Sequence, residues 1–333
     1  MPKRLIAVLL PRPSQERNLC QQAREQLDAF AQTRYHQGDD PLAEAEKSEF
    51  IADAEGILSG WGDTGLTPAN LDAAKRLHII TVIGSSVAHF SPDLAFDRGI
   101  TITNTASAIG YSVAEFALAQ MLSLLHQSPA RHRAMANPGG PESKDELVGR
   151  DLAGRTVGVV GLGSVGRIMV QLLKPFGVQL LLYDPFVSRA WLASLGGEIV
   201  SLEELMRRSE VVTLHAGITE QSRGLIGRKE LALLRDGAVV VNTARGGLFD
   251  QEALVEELQQ GRIFAALDVF DPNPGPDHPL RSLPNVLLSP HKAGLTSDTL
   301  RRIGLDAVED LRLFFSGQEP KNRLTREQIM HAT

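Results

Sequence analysis

Residues 157–166, VGVVGLGSVG, constrain this chain more than any other stretch. Val157, Gly158, Val159 and Val160 form a short, mostly β-branched run of the kind that makes a buried strand. Gly161, Gly163 and Gly166 follow, and then RIMVQLLKPFG places Ile168, Met169, Leu172, Leu173 and Phe176 at helical spacing on one face. Strand, glycine turn and helix together are the context in which G-x-G-x-x-G carries meaning. Gly161 allows the tight turn, Gly163 lets backbone approach a pyrophosphate, and Gly166 lets helix pack on strand. The helix N-terminus adds unpaired N–H groups and a partial positive charge for the phosphates. The next strand, QLLLYD, ends in Asp184, about 20 residues on, where an acid meets the adenosine ribose hydroxyls. The stretch predicts a dinucleotide site rather than a bare structural turn.

At 333 residues the chain suits two domains, each able to bury a core. Hydrophobic content of 43% and charged content of 22% are ordinary for a soluble protein. A net charge of −6 argues against a nucleic-acid surface, although a local field in a pocket can still attract small anions. The single cysteine, Cys20, excludes an intramolecular disulfide and a cysteine-rich zinc site, and no metal is expected. It fits a cytoplasmic location. The apolar run 5–10 is too short for a signal peptide and is followed by Pro11, Arg12 and Pro13, so it is expected to be a first buried strand. No apolar run is expected to reach transmembrane length, so no membrane partner is expected.

From residue 5 to about 103, short apolar runs alternate with helical patterns. LIAVLL precedes a helix near 16–30, EGILSG a helix near 67–75, and IITVIG a short helix at 92–97 before ITITN. This alternation predicts a parallel sheet flanked by helices, whose strand-end loops hold ligands. Two such loops are 59–62, with Trp61, and 84–89, with Ser85 and Ser86. Residues 111–127 form a long apolar helix, expected to be buried on most sides, and 137–149 a surface loop. After Asp184, helices near 188–195, 202–208, 229–234 and 251–260 alternate with EIV, VVTL, AVVVN, FAALD and NVLLS, a doubly wound dinucleotide pattern. The last forty residues are expected to be one helix, 300–315, and a polar tail.

Three strand ends of the second half carry polar residues. Thr243, Ala244 and Arg245 follow AVVVN, Asp268 and Asn273 follow or end FAALD, and His291 follows NVLLS. Parallel strands share a C-terminal edge, so all of these fall on the edge that holds Gly163. Arg245 can grip a 2-oxo carboxylate by two parallel hydrogen bonds and polarise its carbonyl. His291 can pass a proton to or from the alcohol oxygen. Each has a plainer alternative: a lone arginine is usually a surface ion-pair partner and a lone histidine a satisfied polar residue. His215, at the end of VVTL, is taken as part of the cofactor wall.

In GLGSVGR, YDP, LHAGIT, VVVNTARGGLFD, AALDVF and LSPHKAG, in that order, the chain resembles the D-isomer-specific 2-hydroxyacid dehydrogenase family. That family includes phosphoglycerate, glycerate, D-lactate and formate dehydrogenases. The likeness covers about residues 100–300; the N-terminal third matches in its β/α layout and around Arg98, Gly99 and Ile100. The resemblance implies two Rossmann-like, doubly wound parallel-sheet α/β domains with a cleft between them. Residues 1–103 plus 292–333 would form the flavodoxin-like substrate domain and 104–291 the NAD-binding domain. It also implies a homodimer, NAD as cofactor and no metal. Arg245 resembles the substrate-binding arginine and His291 the general acid/base. Leu162, Gly163, Ser164 and Val165 match the pyrophosphate loop, and Asp184 the ribose acid, which disfavours a 2′-phosphate. Ala216 and Gly217 fall on the adenosine side. Thr243, Ala244, Asp268 and Gly294 fall around the nicotinamide and its ribose, Asp268 holding the carboxamide.

Two departures stand out. The family reads D-V-F-x-P-E-P, its glutamate pairing with the histidine; here Asn273 takes that position in DVFDPNP. A carboxylate favours imidazolium, whereas an amide can orient the ring without supplying charge. Three outcomes are open. The enzyme works without that charge, which is preferred; Asp271 or Asp277 supplies it through a shifted loop; or catalysis is lost and an NAD(H)-sensing, corepressor-like role is kept. The second departure is the loop Gly84-Ser85-Ser86-Val87-Ala88-His89, where the family often has G-x-G-x-D-N. Ser85, Ser86 and Trp61 remain candidates for substrate contact, and Lys292, where an apolar residue is usual, has no assigned role. The expected function is NAD-dependent interconversion of a D-2-hydroxy acid and its 2-oxo acid, with a formate-type dehydrogenase and the sensor as alternatives.

Overall fold

The computed structural model describes residues 3–137 and 147–332, so most of the loop expected at 137–149 lies outside the described residues. The chain divides into two compact units, Met1–Ile109 with Leu295–Thr333, and Gly110–Gly294.

The first unit holds five parallel strands: β1 (Arg4–Val8), β2 (Ala31–Tyr35), β3 (Gly56–Gly60), β4 (Ile79–Ile83) and β5 (Thr101–Asn104). Their order is β2-β1-β3-β4-β5. β3 and β4 are buried throughout, which is why GILSG and IITVI read as continuous rather than alternating runs. Helices such as Pro68–Ala73 and Pro92–Asp97 make the crossovers that parallel strands require.

Several expectations need correction here. β2, AQTRY, was not expected; it is an edge strand with β1 as its one neighbour, so it needs no apolar run. Nor was the helix Glu44–Ile51, whose buried residues are Lys47 and Ile51. Half of its inward face is a charge, which hides it from a hydrophobic-pattern reading. The single helix expected near 16–30 is two, Arg12–Asn18 and Gln21–Phe30. Pro13 in the first turn sets the early start. The break follows Asn18, whose carbonyl lies so near Gly304 that a Cβ there would approach it to 2.3 Å. Gly304 belongs to the helix Ser297–Phe315, so the chain breaks where it meets that helix. The tail carries a further helix, Arg326–Ala332, tied back by Arg326 to Asp97 at 2.6 Å.

The second unit holds seven parallel strands: β6 (Thr156–Val160), β7 (Gln179–Tyr183), β8 (Glu198–Ile199), β9 (Val211–Leu214), β10 (Val239–Asn242), β11 (Phe264–Leu267) and β12 (Val286–Leu288). Their order is β12-β11-β10-β9-β6-β7-β8. The order reverses between β6 and β9, which makes the sheet doubly wound. One apolar cluster includes Leu205, Val212, Val240 and Leu254, and another Met121, Val159, Met169 and Val241. The long helix runs Ala106–Leu125, starting and ending earlier than expected. By length and composition it could cross a bilayer, contrary to expectation, but Ala114, Ala117 and Met121 are buried in the core of this unit. It is half buried rather than enclosed, and Tyr111 is 49% exposed.

Candidate active site

The glycine turn sits where the sheet of the second unit reverses. Gly161 ends β6 at φ +87, a conformation that a side chain strains. A Cβ there would also lie 2.4 Å from the Ala216 backbone nitrogen, so the loops after β6 and β9 are in contact. A Cβ on Gly166 would lie 2.1 Å from the Gly161 carbonyl oxygen, the close helix-on-turn packing expected of that glycine. Gly163 differs: a Cβ there meets open space, at the N-cap of the helix Ser164–Leu173. This open cradle with free helix N–H groups is what a pyrophosphate requires. Leu162 is buried, Gly163 and Ser164 are exposed, and Val165 is half-buried. The Leu162 N–H donates to Asp184 Oδ2 at 2.7 Å and the Phe186 N–H to Oδ1 at 2.9 Å. Asp184 is thereby fixed beside the turn.

The strand order lays the other candidates along one edge. From β12 to β7 the strand ends carry His291, Asp268, Thr243 to Arg245, His215 to Gly217, the glycine turn and Asp184. β12 and β7 are five strand spacings apart, about 24 Å. A ligand that uses the whole row is therefore elongated, as a dinucleotide is. Two buried polar atoms on the row, His215 Nδ1 and Thr243 Oγ1, have no hydrogen-bond partner. Together with the open side of Gly163, they fit a bound dinucleotide.

The loops on this edge are held by buried polar residues. Asn242 Nδ2 donates to the Arg245 carbonyl at 2.9 Å, and its Oδ1 accepts from the Ala244 N–H at 3.0 Å. Its own carbonyl accepts from the Asp268 N–H at 3.0 Å. Asp268 is 1% exposed; its Oδ1 takes the Lys292 N–H at 2.8 Å and its Oδ2 the Ala293 N–H at 3.0 Å. The Asp268 carbonyl takes the His291 N–H at 2.8 Å. Asp268 thus clasps the His291 loop, and this accounts for the backbone of Lys292, whose side chain is exposed. A Cβ on Gly246 would meet the Phe270 backbone at 2.1 Å, so the loops after β10 and β11 also touch.

Arg245 is partly buried, and Nη1 donates to the Ala244 carbonyl at 2.8 Å. No carboxylate pairs with it among the described residues. Burial alone pulls its pKa below the ordinary guanidinium value. An arginine in that position is set up to receive an anion. His291 is exposed and left-handed, at φ +57. No carboxylate pairs with it among the described residues, and Asn273 is exposed. Asp271 is paired with another cation: its Oδ2 accepts from Arg223 Nη1 at 2.8 Å. His215 is 9% exposed, its Nε2 3.0 Å from Thr213 Oγ1, and burial pushes its imidazole down to about 3. It is a neutral wall behind the turn. Ala216, Gly217 and Gly294 are half-buried, and Ala244 is buried.

In the first unit, Trp61 and the loop after β4 are brought together. The Trp61 N–H donates to the Ile83 carbonyl at 3.1 Å, and a Cβ on Gly84 would lie 3.0 Å from Trp61 Nε1. Ser85 and Ser86 are exposed, with Asn104 Nδ2 donating to the Ser85 carbonyl at 2.7 Å. Sequence reasoning missed Asn242 as a loop organiser. An asparagine at a strand end, where its side chain can bond its own backbone two residues on, was the available signal.

Residues 118–293 match the model of the D-isomer specific 2-hydroxyacid dehydrogenase, NAD binding domain. The chain belongs to that family. A D-3-phosphoglycerate dehydrogenase from Methanocaldococcus jannaschii is 34% identical over 290 residues, 86% of this chain and 55% of that protein. A hydroxypyruvate reductase from Thermotoga maritima is 37% identical over 255 residues, 74% of this chain and 81% of that protein. Among solved structures, a phosphoglycerate oxidoreductase from Rhizobium etli superposes with a TM-score of 0.80 at 25% identity, covering 97% of this chain and 99% of that one. The chain spans about half the length of the D-3-phosphoglycerate dehydrogenases it matches. Its NAD-binding domain is the family's, and the glycine turn, Asp184 and the unpartnered His215 and Thr243 atoms are the residues suited to hold NAD.

Proposed function

We propose that this chain is an NAD-dependent oxidoreductase that interconverts a D-2-hydroxy acid and its 2-oxo acid. Arg245 carries the proposal: a partly buried guanidinium with no carboxylate partner among the described residues, on the same sheet edge as the open side of Gly163. Bound NAD supplies the hydride exchanged with substrate C2. Arg245 grips the substrate carboxylate and polarises the neighbouring carbonyl. His291 takes the alcohol proton in oxidation and returns it to the carbonyl oxygen in reduction. Asp268 positions His291 through the Lys292 and Ala293 N–H groups and the shared backbone bond. Asn273 orients the imidazole without adding charge. The names of the relatives, D-3-phosphoglycerate dehydrogenase and hydroxypyruvate reductase, support this reaction class. A homodimer in the cytoplasm completes the proposal, and light scattering checks the mass.

The test is NADH oxidation against a panel of 2-oxo acids. Turnover that disappears in Arg245→Leu supports the dehydrogenase. Intact NADH binding with no turnover of any acid favours the NAD(H) sensor, to which the missing carboxylate beside His291 lends weight.

A further inference from the structure

The parallel strands of the first unit all start at one edge, and residues around those starts enclose a cavity of about 310 Å³. Cavities of this size hold small molecules. β4 is five residues long, so this edge lies about 16 Å from the strand-end loops at the other. Glu55 is the fixed point of the lining. It stands just before β3; its N–H donates to the Leu5 carbonyl and its carbonyl accepts from the His78 N–H, each at 2.9 Å. Its backbone is thus bonded to β1 and to the start of β4. Its side chain is 7% exposed and receives a guanidinium from each side. Oε2 accepts from Arg4 Nη1 at 2.5 Å and Oε1 from Arg76 Nη2 at 3.2 Å. A guanidinium has several donors, and among the described residues neither arginine has another partner. Lys3 brings a third charge. Its Nζ donates to the Asp28 carbonyl, and no carboxylate pairs with it among the described residues. The Asp28 carboxylate accepts from Tyr35 Oη at 3.2 Å and is not part of the lining. Arg34, by contrast, is neutralised: Nη1 and Nη2 donate to the two Asp53 oxygens at 2.7 and 3.0 Å. What remains is three cations around one carboxylate, a surplus of two positive charges in a chain whose net charge is −6.

We propose that this cavity binds the phosphate group of a small phosphorylated molecule. A phosphate dianion matches the two surplus charges, and guanidinium edges grip its oxygens by parallel hydrogen bonds. The bound group ties the start of β1 to that of β4 through Arg4 and Arg76, and so stabilises the first unit. Inorganic phosphate and a phosphate monoester share this chemistry. The site lies wholly in the first unit and does not rest on the dehydrogenase reading.

The experiment titrates the full chain with inorganic phosphate and with glycerol 3-phosphate at constant ionic strength, by calorimetry and by the urea unfolding midpoint. Wild type is expected to bind at least one with a Kd of about 1 mM or tighter, and the tighter of the two separates the free ion from an ester. Arg76→Gln should weaken that binding about tenfold or more, and Lys3→Gln, which breaks no ion pair, about threefold. Arg245→Leu, altered only in the second unit, should bind as wild type does. The rise in urea midpoint with ligand should shrink in the same order. If Arg76→Gln does not fold, Lys3→Gln decides. No heat and no midpoint shift at about 20 mM of either ligand overturns the inference. So does binding that survives the first-unit substitutions, or binding that disappears in Arg245→Leu.

Discussion

Lys47 in the first unit and Arg245 in the second are both shielded cations near strand-end loops, and their surroundings are opposite. Lys47 is 1% exposed, and its three protons are spent on Asp63, Thr64 Oγ1 and the Gly65 carbonyl, all within 2.8 Å. Arg245 spends one N–H on the Ala244 carbonyl and meets no carboxylate among the described residues. A buried charge with every donor used is part of the framework, and removing one partner strands the other. A shielded charge without a counterion costs the free protein stability, and an anionic ligand recovers it. Incomplete satisfaction, more than burial, separates the candidate site from the scaffold.

The largest expected effect tests the Arg245 side of that contrast. Arg245→Leu should lower kcat/KM for 2-oxo acids about a thousandfold or more, roughly 4 kcal/mol, while the unfolding midpoint holds or rises. A large loss of stability would instead make Arg245 scaffold. Next comes Lys47→Met, which leaves Asp63 buried without its partner and should destabilise the first unit by about 3–5 kcal/mol in urea denaturation. A near-neutral result would erase the distinction from the other side.

His215 extends the contrast to pH. The unfolded imidazole titrates near 6.5 and the folded one near 3, so the fold holds it neutral. Its contribution is complete above pH 6.5 and is lost as pH falls toward 3. At pH 5 the loss is about 2 kcal/mol. Urea midpoints at pH 7 and pH 5 should therefore converge more in His215→Gln than in wild type. The smallest effect concerns Asn273. Asn273→Glu should move the alkaline limb of 2-oxo acid reduction up by about one pH unit, because a carboxylate holds the imidazolium. An unmoved limb would show that the loop keeps position 273 away from His291.

Much of this was legible from periodicity. The strand runs of the second unit, the glycine turn and the polar residues past each strand end follow from main-chain pattern alone, so Arg245 and His291 could be placed on one edge without coordinates. The parts that stayed hidden are those that a pattern of apolar residues cannot carry. β2 is polar because an edge strand has little to bury, and the helix Glu44–Ile51 turns a lysine inward. Asp268 was expected to meet the nicotinamide carboxamide, but the two N–H groups it clasps become visible only when the backbone folds back past His291. Asp271 looked able to replace a missing charge until Arg223 proved to hold it.

The left-handed turn at His291 has an evolutionary side. At φ +57 the backbone suits asparagine or glycine better than most side chains, and the clasp from Asp268 uses only main-chain groups of this loop. Histidine and asparagine codons differ by one base. Such a change would remove the proton transfer proposed for His291 while leaving the turn, the clasp and the nucleotide cradle standing. The fold has no stake in the imidazole, so descendants of this chain can shed chemistry and keep their grip on the cofactor in a single step.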